Sequence, residues 1–595
     1  MKRKAILPAL LACGLPLVLG ACDQQSAPSS RSEEAAVASA ARGQDGRDQK
    51  NEAAQPPEAT AVANDEAPMG IGKGVSGGEG QRFGVKGPGG PGIGGAGRSL
   101  QASPEKKSRP FAQDQGGKDK EVAAADPLAF APAAPPVDMQ PPAPQAETAI
   151  DPNGRFATTY RPGGGHLAAF ESAVAAGLVP ASERELVADI GAQYAADIAA
   201  PAQGALAFRA DFERQKLGPS GGPVHLRLSL RSTDQAASER PPLSVVVVMD
   251  VSGSMRGKLI SAARDAATDL IDKLGDGDHF SLITFSTDAK VHIPVGKVAG
   301  RRDQLKKSIA EISEGGGTNI GEGLRLGYEQ ALAKQVTGDP VRAVFLLSDG
   351  RANEGITDSR RLSKIALDAF QEGVQTSSFG LGTDYDGPLM SQIASDGAGG
   401  YYYLKDASQV SPALATELGK RLDPVATALE VRVRLKQDVE LLNVYGSRRL
   451  SAAEAQRVRT IEVAQDKQME QKTGIKQNRQ DDKEGGMRFF IPAFARSDRH
   501  SILLKLRLPE GVSEKDVALV ELKYKDLVAK KNVIDEQTLK LGYATSDAES
   551  ARTIDPQVAR TVQGFGAGEA LSKAAELIGA GQAGQAVALL GEREG

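Results

Sequence analysis

Continuous apolar runs alternate with amphipathic stretches through the middle of the chain. Residues 243–249 (LSVVVVM) form an apolar run rich in β-branched side chains, which is typical of a parallel strand buried on both faces. Residues 341–348 (VRAVFLLS) predict a second buried strand, and residues 374–382 predict a third. The stretches between them repeat apolar positions with helical spacing, beginning at Leu259. Strands that alternate with helices over residues 242–423 predict a doubly wound, mostly parallel α/β sheet of the Rossmann-like class.

Alternating patterns flank this segment on both sides. Residues 224–231 (VHLRLSLR), 429–435 (LEVRVRL) and 503–508 (LLKLRL) place apolar side chains on one face and polar side chains on the other. This period indicates antiparallel sheets with one solvated side. Because such strands lie both before and after the central segment, we predict a flanking β-sandwich built from both flanks, with the central domain inserted in it.

The remaining boundaries follow changes in pattern. Residues 151–241 combine short helices with a strand, and residues 424–545 are rich in strands. Residues 546–595 predict a helical segment that opens with the pair Asp-Pro at 555 and 556. Residues 457–486 are polar and predict a mobile loop.

The first 150 residues differ from the rest of the chain. Residues 1–21 have a charged start, a short apolar centre and small residues at the end, which predicts a secretory signal peptide. The sequence LGAC, ending at Cys22, is similar to a bacterial lipobox, so Cys22 is expected to carry the lipid. Residues 22–150 are dominated by Ala, Pro, Gly and Gln, and this composition predicts a disordered tether. We therefore expect a lipoprotein of the bacterial cell envelope, anchored on the periplasmic side. Asp23 resembles a signal for retention in the inner membrane, and the choice between inner and outer membrane stays open.

Composition excludes several classes of function. A net charge of -4 over 595 residues provides no basic field, which argues against nucleic-acid binding. The chain has five histidines, and none stands in an HExxH pattern, so a zinc hydrolase is not expected. Of the two cysteines, Cys13 lies within the signal segment, so no disulfide is expected after processing.

Five oxygen-bearing residues stand at the ends of the apolar runs or in a glycine-rich loop. They are Asp250, Ser252 and Ser254 after the first run, Thr318 after three glycines, and Asp349 after the second run. Ligands of a doubly wound sheet bind beyond the carboxyl ends of its strands, so these side chains are expected to meet there. Small hydroxyls and carboxylates on short loops suit Mg²⁺, which prefers octahedral oxygen coordination. Asn353 is expected to brace the loop after Asp349, and the acidic pair at 384 and 386 to form a turn before a helix.

Residues 242–423 resemble the von Willebrand factor type A family. The metal-ion-dependent adhesion site of that family reads Asp-x-Ser-x-Ser, then Thr, then Asp, and this chain offers DVSGSM, GGGTNIGEGL and LLSDGRANEG. The resemblance implies that Ser252, Ser254 and Thr318 contact the cation, and that Asp250 and Asp349 hold it directly or through water. It also implies Mg²⁺ as the cofactor, with Mn²⁺ or Ca²⁺ possible, and a protein partner that offers an Asp or Glu side chain.

Three hypotheses about function follow. The first is a lipid-anchored binding protein whose Mg²⁺ captures an acidic side chain of a partner. The second is a scaffold or assembly component in which the metal is structural. The third is a metal-dependent hydrolase, which the sequence favours least because no Gly-x-Ser-x-Gly motif, Walker loop or Ser-x-x-Lys lies near the five residues of the site. We therefore predict no catalytic residue and no enzyme activity, and the sequence does not indicate an oligomeric state.

Overall fold

The computed structural model describes residues 148–235, 240–479 and 485–594. The predicted signal peptide, Cys22 and the predicted tether up to residue 147 lie outside these residues. Within them, no helix combines the length and the apolar character that crossing a membrane requires.

The described residues before the central domain, 148–235, contain four strands and two helices. In chain order they are β1 (Gly154–Phe156), α1 (Gly165–Ala175), α2 (Arg184–Ala192), β2 (Leu206–Phe212), β3 (Lys216–Leu217) and β4 (Gly222–Ser232).

The central domain alternates strands and helices. Its elements are β5 (Leu243–Asp250), α3 (Lys258–Lys273), β6 (His279–Phe285), β7 (Ala289–Lys297), α4 (Arg302–Ala310), α5 (Ile320–Ala331), β8 (Val341–Ser348), α6 (Ser359–Gln371), β9 (Val374–Leu381), α7 (Gly387–Asp396), β10 (Ala398–Leu404) and α8 (Val410–Leu422). Short 3₁₀ turns cover Gly253–Met255 and Ala407–Gln409.

The C-terminal part returns to β structure and ends in helices. Its elements are β11 (Pro424–Leu435), β12 (Glu440–Val444), α9 (Ala452–Thr473), β13 (Met487–Ala495), β14 (Arg499–Leu508), β15 (Lys515–Asp526), β16 (Lys531–Tyr543), α10 (Asp547–Ala551), α11 (Pro556–Gly579) and α12 (Ala583–Glu594). Asp555 caps α11, with Pro556 as its first residue, as the Asp-Pro pair predicted.

The central sheet has the strand order β10-β9-β8-β5-β6-β7. Its strands are parallel except for β7, which runs antiparallel to β6 at one edge. Along β5, Val245 and Val247 enter the core under α3, α4 and α8, whereas Val246 and Val248 enter the core under α5, α6 and α7. Because both faces of the strand are covered, a continuous apolar run is required, and the predicted doubly wound α/β class is confirmed.

Strands from both flanks of the central domain pair with each other. β4, which precedes the domain, pairs antiparallel with β14, which follows it, from Arg231 opposite Arg499 to Gly222 opposite Leu508. β1 pairs with β13 and β3 with β16. The resulting four-stranded sheet (β12-β14-β4-β2) and six-stranded sheet (β1-β13-β11-β15-β16-β3) share one apolar core, which is the sandwich that the insertion hypothesis requires.

The polar segment predicted as a mobile loop contains a long helix. α9 occupies residues 452–473 and begins with a capping box between Ser451 and Glu454. Its side chains Glu462 and Asp466 are buried, where Glu462 pairs with Arg155 and Asp466 with Lys525. The loop prediction was wrong over residues 457–473 because this helix is held by buried ion pairs as well as apolar contacts, and its hydrophobic periodicity is weak.

Candidate metal centre

The first three predicted ligands lie where β5 ends. The Asp250 side chain is fully buried, and its Oδ1 accepts a hydrogen bond of 2.8 Å from the backbone N–H of Ser252. This turn directs the Ser252 and Ser254 hydroxyls toward each other, with their oxygens 3.0 Å apart. The prediction that the two serines face one point therefore agrees with the local geometry.

Asp349 joins this group from the neighbouring strand. β8 runs parallel to β5, so the residue after β8 lies at the same edge of the sheet as the residue that ends β5. The Ser254 hydroxyl donates a hydrogen bond of 2.8 Å to Asp349 Oδ1. Residues 95 positions apart in the sequence are thus in direct contact.

Thr318 is brought to the same place by the loop before α5. The backbone N–H of Gly253 donates to Gly316 O at 3.2 Å, which holds the glycine loop against the turn after β5. The backbone N–H of Thr318 donates to Asn353 Oδ1 at 2.7 Å. A Cβ placed on Gly350 would lie 3.1 Å from Thr318 Oγ1 and 3.8 Å from Ser254 Oγ, so both hydroxyls lie beside Gly350.

Ionisation of both carboxyl groups of the site, Asp250 and Asp349, is electrostatically unfavourable. Burial raises the pKa of Asp250, although hydrogen bonds from Ser348 and Ser252 oppose the shift. Burial, reinforced by the neighbouring charges of Asp250 and Asp384, raises the pKa of Asp349 to about 6. Asp250 and Asp349 are thus two buried carboxyl groups whose ionisation is unfavourable. A divalent cation bound to both would stabilise their ionised forms.

The donor set fits a hard cation. Two carboxylates and three hydroxyls supply oxygen only, as Mg²⁺ or Ca²⁺ requires, and there is neither thiolate nor imidazole among the five. In the described part of the chain, no group of three or more His, Cys, Asp or Glu side chains could hold a metal. The mixed hydroxyl and carboxylate set is the candidate metal centre because its five oxygen donors meet at one edge of the sheet.

Three further polar side chains support the site, and one of them, Ser348, was not predicted. Ser348, the last residue of β8, donates a hydrogen bond of 2.6 Å to Asp250 Oδ2, and its position at the end of an apolar run was the available signal. Asn353 braces the loop that carries Thr318 and not only the loop that follows Asp349. Asp386 caps α7 by accepting from the backbone N–H of Leu389, which is the turn role expected for it.

Comparison with known proteins gives matches centred on this domain. YfbK, an uncharacterised protein of Escherichia coli K12, is 26% identical over 211 residues, which are 35% of this chain and 36% of YfbK. The uncharacterised protein sll0103 of Synechocystis is 31% identical over 193 residues, covering 32% of this chain and 45% of the relative. The chain thus spans less than half the length of these curated relatives.

Among solved structures, a von Willebrand factor type A protein from Catenulispora acidiphila aligns with a TM-score of 0.44 at 17% identity, over 60% of this chain and 78% of the other. The family model for the von Willebrand factor type A domain matches residues 244–416, from the second residue of β5 into α8. The segment that the model matches therefore includes all five candidate ligands. Residues 244–416 form a von Willebrand factor type A domain.

Proposed function

We propose that this protein binds partner proteins through a divalent cation held by Asp250, Ser252, Ser254, Thr318 and Asp349. The observation that carries the proposal is the hydrogen-bonded chain from Asp250 through Ser252 and Ser254 to Asp349 at the carboxyl edge of the sheet. Core packing does not require these polar groups, and such an edge is where doubly wound domains bind ligands.

The accessibility of the five side chains supports capture of an external ligand. Asp250, Ser252, Thr318 and Asp349 are buried, whereas Ser254 is exposed. A cation held above the buried carboxylates would therefore face solvent on the Ser254 side. The carboxylate of an Asp or Glu on a partner protein is the ligand chemistry that completes such a coordination shell.

Mg²⁺ is the cation that we propose, with Mn²⁺ and Ca²⁺ as alternatives. The bound ion supplies positive charge and a directional bond to the incoming carboxylate. The protein's own residues supply the specificity: the three hydroxyls fix the position of the ion, and Asn353 holds the Thr318 loop in place. Short hydroxyl donors favour the smaller ion because Mg²⁺ demands a near-ideal octahedron.

A structural role for the metal is the second candidate, and the burial of four of the five donors favours it. The two candidates predict different responses to metal removal. A structural metal would be needed for folding but not for partner binding, whereas an adhesion site would be needed for partner binding in a chain that stays folded. We do not propose a hydrolase at this centre, because the sequence near it carries none of the nucleophile motifs considered above.

Capture of partners from an envelope extract, with the full chain as bait, tests the proposal. Asp250→Ala, Ser252→Ala and Thr318→Ala should abolish Mg²⁺-dependent capture and leave the circular dichroism spectrum unchanged. Ser261→Ala is the matched control, because Ser261 is an exposed serine on α3 outside the ligand set. Retained capture by the Asp250→Ala chain would contradict the adhesion role. Unfolding in EDTA, with unchanged capture after refolding without metal, would favour the structural role.

Attachment to the envelope through a lipid on Cys22 is a separate part of the proposal. It is supported by the LGAC sequence and the charged, apolar and small-residue regions of residues 1–21. Metabolic labelling with an alkyne fatty acid should mark the wild-type chain and not the Cys22→Ser chain. Cys13→Ser is the control and should remain labelled.

A further inference from the structure

A second polar cluster lies where helix α1 packs against helix α7 of the central domain. His166 occupies the first turn of α1, and the backbone N–H groups of His166 and Leu167 donate to Asp189 Oδ2 at 3.0 and 3.1 Å. The Tyr401 ring lies edge-on to the imidazole, with ring centroids 5.0 Å apart. The Asp189 contacts hold the first turn of α1, and the Tyr401 ring packs against the imidazole.

Each nitrogen of this imidazole has a defined partner. His166 Nε2 lies 3.0 Å from Ser391 Oγ on α7, and His166 Nδ1 lies 2.5 Å from Glu183 Oε2 just before α2. A serine hydroxyl, an imidazole and a carboxylate are thus joined in series. This is the connectivity that activates a nucleophilic serine: a base within hydrogen-bond reach, itself oriented by a third group.

The cluster opens into a cavity. Ser391, His166 and Glu183 all line a cleft of ≈ 380 Å³ between the central domain and the sandwich. The wall of the cleft is partly apolar, with Phe156 and Phe490 among its residues.

A guanidinium group also borders this cleft. Arg161 lines it, and its Nε is buried without an acceptor among the described residues. Its Nη2 lies 3.4 Å from Glu185 Oε1. A guanidinium that borders the same cleft as a nucleophilic serine is the type of group that stabilises an oxyanion.

We propose that Ser391, His166 and Glu183 form a catalytic site, separate from the metal centre, that hydrolyses small carboxylic esters. Ser391 Oγ bonds to the ester carbonyl carbon while its proton passes to His166 Nε2. The Glu183 carboxylate accepts the hydrogen bond from Nδ1–H and stabilises the imidazolium.

The intermediate formed in this step carries its negative charge on the former carbonyl oxygen, where the Arg161 N–H can donate. Cleavage of the ester C–O bond releases the alcohol, which takes the proton from His166. Water then repeats the sequence on the acyl-serine, and its attack releases the carboxylic acid and restores the Ser391 hydroxyl.

Labelling of the full chain with a fluorophosphonate probe, followed by peptide mapping, tests the assignment, together with the turnover of p-nitrophenyl acetate. The probe should mark Ser391, and Ser391→Ala should lose both label and turnover. His166→Gln and Glu183→Gln should lower turnover, the former by about 10²-fold or more, as expected on loss of a general base. Ser261→Ala should behave like the wild type.

Two outcomes would overturn the proposal. One is a folded wild-type chain that carries no label at Ser391. The other is equal ester turnover in the wild-type and Ser391→Ala chains. Turnover should also persist in EDTA, since no metal ligand lies in this cluster, which separates its failure from failure of the proposed metal site. If His166→Gln does not fold, Ser391→Ala and Glu183→Gln still decide the question.

Discussion

Replacement of Asp349 by asparagine should stabilise the metal-free protein and remove its stabilisation by Mg²⁺. The reason is the electrostatic cost of placing the Asp349 carboxylate in a buried site beside Asp250. Burial and that neighbouring charge raise the pKa of Asp349 to about 6 from an ordinary value of 3.8. Because the pKa is higher in the folded state, folding stability falls as the pH rises from 3.8 to about 6, and the whole cost is present at neutral pH.

The magnitude follows from the shift in pKa. Raising the pKa of Asp349 from 3.8 to about 6 corresponds to about 3 kcal/mol, because one pKa unit is worth about 1.36 kcal/mol. Solvent at the exposed Ser254 screens part of this interaction, so we expect about 1–2 kcal/mol. Asparagine removes the charge and keeps an oxygen that can accept the hydrogen bond from Ser254. The Asp349→Asn chain should therefore melt a few degrees above the wild type in EDTA, at about 2–4 °C per kcal/mol.

Mg²⁺ should reverse this order. A cation at a hundred times its dissociation constant stabilises the wild-type fold by about 2.7 kcal/mol, whereas the asparagine chain has lost one of two ligand charges and should gain much less. Circular dichroism or calorimetry is the assay, because the chain has no tryptophan for intrinsic fluorescence. Asp265→Asn, which removes an exposed charge on α3, is the control. A lower melting temperature for Asp349→Asn in EDTA, or equal Mg²⁺ shifts in both chains, would refute the reasoning.

Three further changes test the site and its support. Gly350→Ala would place a methyl group 3.1 Å from Thr318 Oγ1, so it should weaken Mg²⁺ binding by roughly tenfold, or about 1.4 kcal/mol, measured by isothermal titration calorimetry. Burial lowers the pKa of His500 to about 3. The free energy of unfolding should therefore fall by about 1.4 kcal/mol per pH unit as the pH falls below 6.5. Urea denaturation at two pH values should show a smaller fall for His500→Gln. Lys525→Met should lower the free energy of unfolding by about 3–5 kcal/mol in the same assay, because it leaves the buried Asp466 carboxylate without the ammonium that lies 2.7 Å away. A second change, Asp466→Leu, should recover part of that loss.

The central sheet could be predicted because each buried strand produces a local apolar pattern in the sequence. A strand covered by helices on both faces must be largely apolar, and β5 is apolar at every position from Val245 to Met249. The place where the polar residues meet follows from the same pattern, since parallel strands end at one edge. Asp250 and Asp349 could therefore be brought together before any coordinates were known.

The cleft cluster could not be predicted in this way. Ser391, His166 and Glu183 come from three segments, with no short motif and no strand end to relate them. Their meeting depends on how α1 docks on α7, which is decided by tertiary contacts such as the hydrogen bond from Tyr403 OH to Ser172 Oγ at 2.8 Å. Hydrophobic periodicity predicts elements but does not predict which helix face meets which.

Helix α9 could not be predicted from hydrophobic periodicity, because polar contacts hold much of it in place. The helix contacts both the central domain and the sandwich. Gln468 Nε2 donates a hydrogen bond of 2.8 Å to Phe370 O in the central domain, and Asp466 pairs with Lys525 in the sandwich. Three of the four buried residues of this helix are polar and only Ile461 is apolar, so the helix has no broad apolar stripe and its sequence resembles that of an exposed loop. Phe370 lies in α6, the helix that follows the Asp349 loop, so α9 connects the metal-bearing domain to the sandwich. Changes that unpair Lys525 should therefore loosen this connection as well as the sandwich itself.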